Sequence, residues 1–223
     1  MKDLIRHIRQ QDPANPTFAE VFFCYAGFHV MVFHRCAHWL WGKKLYAVAR
    51  FVSHLGRFFT GIEIHPAAQI GKNLFIDHGM GVVIGQTTII EDNVTLYHGV
   101  TLGGMGRPDQ KGEKRHPTIK SGAMIGAGAQ VLGDITIGEK ANVGANAVIT
   151  QSIPDGTTFI GQAARRLGNH KPGKEAICAY GLPVDQFTDP TQHVINGLVT
   201  DVREIRKQLN MPVETKGDIK IAS

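Results

Sequence analysis

The sequence predicts a mainly-β protein: a parallel β-helix built from hexapeptide repeats, with an α-helical N-terminal region and a C-terminal helix and tail. Two observations carry that prediction. Counting every sixth residue from Ile64 gives Ile64, Ile70, Ile76, Val82, Thr88, Val94 and Val100, and the count resumes at Ile119, Ile125, Val131, Ile137, Val143 and Ile149. Small residues recur at fixed offsets from these, among them Ala68, Ala129, Ala141 and Ala147, and Gly71, Gly126, Gly138 and Gly144. A period of six suits neither a helix nor one continuous strand, but it suits a solenoid in which each unit is a short strand plus a corner. Three units close one triangular coil, with the aliphatic side chain inside and small residues where the chain turns.

The elements follow in chain order. Residues 1–60 read as helices. Asp3 is placed to cap the first, Asp12-Pro13 ends it, and a long apolar segment, Phe18–Trp41, stops at Gly42-Lys43-Lys44 before one more helix to about Phe59. The aromatic run Phe22, Phe23, Tyr25, Phe28, Phe33, Trp39 and Trp41 is expected as core that packs these helices onto the open end of the solenoid, an edge that needs covering. Residues 61–168 carry the repeat. It is broken between Val100 and Ile119 by a polar, Gly-rich stretch, which is expected to leave the wall as a loop over 103–117. The break allows one coil plus one residue, or two faces plus an excursion of about seven. Beyond Gly168, in residues 169–223, Asp189-Pro190 and the spacing of Val194, Leu198, Val202, Ile205 and Leu209 predict an amphipathic helix that ends before Pro212, then a loose tail.

Composition narrows the function classes. The net charge is +5 with no dense Lys/Arg run, which fits an anionic ligand and argues against nucleic acid. The stretch Ala19–Trp41 is long enough to span a bilayer, but His29, His34, Arg35 and His38 make a packed helix the expected outcome and a membrane span not. Cys24, Cys36 and Cys178 are odd in number and far apart, and no signal peptide is evident. The expectation is a reducing, cytoplasmic setting without a disulfide framework.

A repeat that needs only aliphatic and small residues carries Asp77-His78 in Phe75–Gly81 and a second histidine in Lys114-Arg115-His116-Pro117. These segments, with Thr101-Leu102-Gly103-Gly104 and, upstream, Asp12-Pro13-Ala14 and His38–Trp41, resemble the serine O-acetyltransferases, a family of hexapeptide-repeat acyltransferases. The resemblance covers about residues 10–168 and implies a left-handed coil and transfer from acetyl-CoA to L-serine. It implies His78 as general base with Glu63 as its carboxylate partner, His116 binding or polarising the reacting groups, Arg115 on the serine carboxylate, and Asp12 and Asp77 on its ammonium. Such chemistry needs a group that titrates near neutrality, held by a carboxylate. It further implies acetyl-CoA as co-substrate against Gly104, Ala127, Ala145 and Arg165, with no metal. A homotrimer or a hexamer made of two trimers, feedback inhibition by L-cysteine, and docking of O-acetylserine sulfhydrylase on the C-terminus complete what it implies. The chain ends Ile221-Ala222-Ser223, where that family usually ends in Ile.

Other functions fit the repeat less well. A zinc hydratase on this fold needs two histidines five residues apart, and the position that distance from His116 is Ser121. Acetyltransferases for homoserine, sugars or antibiotics share the repeat, and a silent scaffold is a third class, argued against by the presence of His78, Glu63 and His116. His65 and His98 are expected as hydrogen-bonded surface residues, His29, His34 and His38 as core or interface. Asp12 has a second reading as the cap of the helix that follows it.

Overall fold

Six-residue spacing folds here, in a computed structural model that describes residues 1–105, 112–161 and 190–209, as fourteen strands of two or three residues. They stack in three parallel sheets, ordered β1-β4-β7-β10-β13, β11-β8-β5-β2 and β14-β12-β9-β6-β3. We call these faces A, B and C. The chain visits them in turn, from β1 (Glu63–Ile64) on A to β2 (Gln69–Ile70) on B, β3 (Phe75–Ile76) on C and β4 (Val83–Ile84) back on A. The coil is a left-handed parallel β-helix. Every strand pairs in register with the one a coil below, so identical positions stack: Ile64 on Ile84, Ile84 on Leu102, Leu102 on Val131, Val131 on Ile149.

The stack corrects the phase of the count. The inward strand residues are Ile64, Ile70 and Ile76, then Ile84, Ile90, Leu96 and Leu102. The second coil is therefore displaced by two residues from the expected series. Val82, Thr88, Val94 and Val100 are fully buried too, but at the corner position that Ala68, Ala129, Ala141 and Ala147 fill elsewhere. The displacement arises at Asp77–Val82, a six-residue corner where the corner above it, Tyr97–Val100, has four. Both inward positions select apolar residues, so the count slides from one to the other without a visible break.

The interruption is also simpler than either arrangement expected from sequence. β7 (Thr101–Gly103) on face A leads directly to β8 (Thr118–Ile119) on face B. Seventeen residues separate Leu102 from Ile119 where one unit needs six, so the loop is thrown from a single corner and no face is skipped.

Four helices close the first coil: α1 (Lys2–Gln11), α2 (Phe18–Cys24), α3 (Ala26–Gly42) and α4 (Tyr46–Thr60). Leu4, Ile5 and Ile8 of α1, Val21 of α2, and Phe28, Val30 and Met31 of α3 join the coil interior in one apolar cluster. Helix α3 approaches so closely at Gly27 that a Cβ there would sit 2.4 Å from the Ile76 carbonyl oxygen. Gly61, with φ of 70°, ends α4 and turns the chain into Ile62. Asp3 is not the cap of α1: Met1 holds that position, and Asp3 lies in the first turn, paired with Arg6 at 3.3 Å. The long apolar segment is broken at Tyr25, and α2 opens on a reciprocal Thr17–Glu20 capping box. The aromatic run is core only in part. Phe28 is buried, whereas Phe22, Phe23 (72% exposed) and Trp39 face outward on the single chain. No helix among the described residues is long and apolar enough to cross a membrane.

A separate unit comprises Ala163–Ser223. Its helix α5 (Pro190–Gln208) begins at the proline, whose missing N–H costs nothing in a first turn. The expected Asp189 cap and the tail lie outside the described residues.

Candidate active site

The long corner between faces C and A carries Asp77 and His78. The Gly79 N–H bonds back to the Asp77 carbonyl at 2.7 Å, closing a three-residue turn with His78 at its centre at φ of 57°. Such a turn is rare and strained for a residue with a Cβ, and strain of this kind collects at functional sites. It lifts the His78 side chain off the wall, 75% exposed, with Nε2 at 4.0 Å from Asp77 Oδ1. On the next coil His98 meets it edge to face, ring centres 5.7 Å apart. The expected surface histidine therefore adjoins the expected base.

Asp12 joins this corner from the helical end. It caps no helix N-terminus: Oδ1 accepts the Ala14 N–H at 2.8 Å and Oδ2 accepts the Tyr25 hydroxyl at 2.5 Å. The Tyr25 phenol is pushed well above its ordinary pKa, first by burial, then by the bond to Asp12 and the charges of Asp12 and Asp77. Two carboxylates thus converge on one tyrosine beside the His78 turn. The sequence marks Tyr25 only as core, because its partner lies thirteen residues away across the Asp12-Pro13 break. Glu63, on β1, accepts from Arg57 Nη1 at 2.9 Å. Among the described residues, the carboxylate in ion-pair range of His78 is that of Asp77.

Arg115 and His116 stand on a different edge, between faces A and B, where the loop returns to the wall. Lys114 anchors that return by donating to the His116 carbonyl at 2.6 Å and to Asp134 at 2.7 Å. Arg115 is exposed, while the His116 imidazole is buried in a slot floored by glycine. A Cβ at Gly85 would lie 2.1 Å from His116 Nε2, and one at Gly104 would lie 3.0 Å from it. Burial, and then the charges of Arg115 and Lys114, hold the His116 pKa below its ordinary value.

The single chain therefore brings together Asp12, Asp77 and His78 on one edge of the prism, and Arg115, His116 and Gly104 on another. Above His78, on the first of these edges, the corners of later coils present Ala127 and Ala145 in one column. Arg165 lies outside the described residues.

This architecture defines a class. A family profile described as bacterial transferase hexapeptide (six repeats) matches residues 116–151. Within that class the likeness is specific. Serine acetyltransferase of Bacillus subtilis is 45% identical over 214 residues, covering 94% of this chain and 97% of that one. Among solved structures, serine acetyltransferase isoform 3 of Entamoeba histolytica in complex with cysteine superimposes with a TM-score of 0.70 at 40% identity. The match covers 76% of this chain and 60% of that one. The Brucella abortus serine acetyltransferase in complex with coenzyme A gives a TM-score of 0.68 at 38% identity, covering 76% and 67%. The chain belongs to the serine acetyltransferase family.

Proposed function

We propose that the protein transfers the acetyl group of acetyl-CoA to the hydroxyl of L-serine, giving O-acetyl-L-serine and CoA, the first step of cysteine biosynthesis. The observation that carries this reading is the corner where a strained turn raises His78 beside Asp77 and the Asp12–Tyr25 pair. A base flanked by carboxylates suits an acceptor that bears an ammonium group close to its hydroxyl.

In the proposed step the His78 imidazole takes the proton from serine Oγ as Oγ attacks the thioester carbonyl. The C–S bond then breaks and the CoA sulfur leaves with that proton. A positioned base of this kind is worth about 10²–10⁴ in rate. Asp12 and Asp77 hold the ammonium, and Arg115 grips the carboxylate through its planar fork. Glu63 orients His78 once its carboxylate is exchanged from Arg57. Acetyl-CoA runs along the edge beside Ala127 and Ala145, whose small side chains leave room for the pantetheine arm, and it reaches Gly104 and Arg165 at its ends.

Because His78 and His116 stand on different edges, the site is completed between neighbouring subunits. Cyclic association into a trimer, alone or as two joined trimers, brings one subunit's His78 edge against the next one's His116 edge. L-cysteine, which offers the same ammonium and carboxylate as serine, occupies the acceptor site as a feedback inhibitor. The enzyme works in the cytoplasm, and its C-terminus is the docking segment for O-acetylserine sulfhydrylase. The test is thiol release from acetyl-CoA with L-serine, L-homoserine and a sugar offered in parallel. Release with serine alone, suppressed by L-cysteine, is expected. Release with another acceptor would retain the base and overturn the substrate, and release with none would favour a silent scaffold.

A further inference from the structure

Four hydrogen bonds converge on Thr87 at the His116 slot. Its hydroxyl oxygen accepts the backbone N–H groups of Arg115 at 3.0 Å and His116 at 3.1 Å. The same oxygen stands 2.9 Å from His116 Nδ1, and the Thr87 backbone N–H donates to Nδ1 at 3.3 Å.

The inventory of donors decides where the protons lie. Two backbone N–H groups occupy the lone pairs of Thr87 Oγ1, so its remaining contact, with Nδ1, uses its own proton. A backbone N–H can only donate. Nδ1 therefore receives from two donors and has no place for a proton of its own. A neutral imidazole carries one N–H, which must then sit on Nε2. The lowered pKa of His116 accords with this, since the charged ring would need a proton on both nitrogens. Nε2 would be the first atom met by a Cβ at Gly104 and is among those that would crowd one at Gly85.

We propose that Thr87 is a positioning residue that fixes His116 as its Nε2–H tautomer, making His116 a hydrogen-bond donor to an anionic oxygen of the reacting groups rather than a second base. The proposal rests on the reading of His116 as part of the acyl-transfer site. It divides the two histidines by role: His78 accepts a proton, and His116 offers one in a hydrogen bond without releasing it.

The experiment is nitrogen NMR of the full-length protein with labelled histidine, the His116 signals being assigned by their loss in His116→Asn. At neutral pH the wild type should show Nδ1 unprotonated and Nε2 protonated. In Thr87→Val, which keeps the shape and removes the hydroxyl, the ring should become a mixture of tautomers and titrate at higher pH. Turnover should fall by about tenfold to a hundredfold, less than the loss of a whole oxyanion donor. Thr87→Ser, which keeps the hydroxyl, should restore the wild-type protonation pattern. A proton on Nδ1 in the wild type, or an unchanged pattern in the valine variant, would overturn the proposal. Should the valine variant not fold, the wild-type pattern still decides. The ring protonation is read without turnover, so a failed serine assay and a failure of this proposal are separate results.

Discussion

Replacing Gly85 with alanine should evict the His116 ring while leaving the coil standing. An ideal Cβ at Gly85 lies 1.9 Å from His116 Cδ2, 2.1 Å from Nε2 and 2.9 Å from Cγ, all inside contact distance. The backbone cannot yield, since the Gly85 N–H is tied to the Leu102 carbonyl at 3.1 Å and its carbonyl accepts from Thr88. Nor is it strained for alanine, because Gly85 is not among the residues at positive φ. The imidazole must move, and moving it breaks both contacts of Nδ1 with Thr87. Overpacking of this kind costs about 1–3 kcal/mol. The displaced donor should lower turnover with L-serine by about a hundredfold. Two readouts are needed: thiol release at saturating substrates, and the midpoint of denaturant unfolding. A double-mutant cycle then isolates the cause. In His116→Ala the ring is absent and the new methyl fits the vacated space, so Gly85→Ala combined with His116→Ala should be no worse than His116→Ala alone. Wild-type turnover in the single variant, or additive losses in the double, would refute the reasoning.

Three further outcomes are expected. Arg115→Ala should raise the serine requirement by about ten- to a hundredfold, the worth of a charge-assisted hydrogen bond, with little change in turnover at saturation; an unchanged serine dependence would place the carboxylate elsewhere. Val131→Asp puts a carboxylate where Val131 stacks, fully buried, between Leu102 and Ile149. Burying an unpaired charge costs enough to consume a typical domain stability, and a folded, soluble variant would contradict the inward register. His34 is buried, its Nδ1 has no hydrogen-bond partner among the described residues, and burial followed by the charges of His38, Arg35 and His65 pushes its pKa down to about 4. The unfolded chain takes up this proton below about 6.5 while the folded chain refuses it, so stability should fall as pH drops from about 6.5 to 4, by about 3 kcal/mol from this group. Unfolding midpoints across that range should decline less in His34→Gln, and parallel declines would discharge His34 from the effect.

The repeat was legible in the sequence because a solenoid imposes the same inward choice at every turn, and its triangular coil follows from that period alone. The two-residue phase shift at Asp77–Val82 was not, for a physical reason. The second coil fills its corner position with Val82, Val94 and Val100 instead of alanine, so a six-residue count remains apolar while changing from one inward position to another. The residues proposed to do chemistry sit where the period is disturbed, at that long corner and at the return of the loop. Hydrophobicity said that Phe22, Phe23 and Trp39 want burial, but it does not say against what, and the single chain leaves them exposed. Thr17-x-x-Glu20 was a readable capping signal that assigns Asp12 away from capping. Tyr25 and Thr87 were not readable, since a hydroxyl takes its role from partners thirteen and twenty-nine residues distant.

In the proposed reaction the site, divided between two edges of the prism on the single chain, is reassembled between subunits. Two variants, His78→Ala and His116→Ala, can be co-expressed with different affinity tags and isolated together on both. Each alone should lose about two orders of magnitude of serine-dependent thiol release. In a mixed trimer one junction of the three joins an intact His78 edge to an intact His116 edge, so activity should return to about one third of wild type. Mixed protein as inactive as either parent would contradict a site shared between subunits.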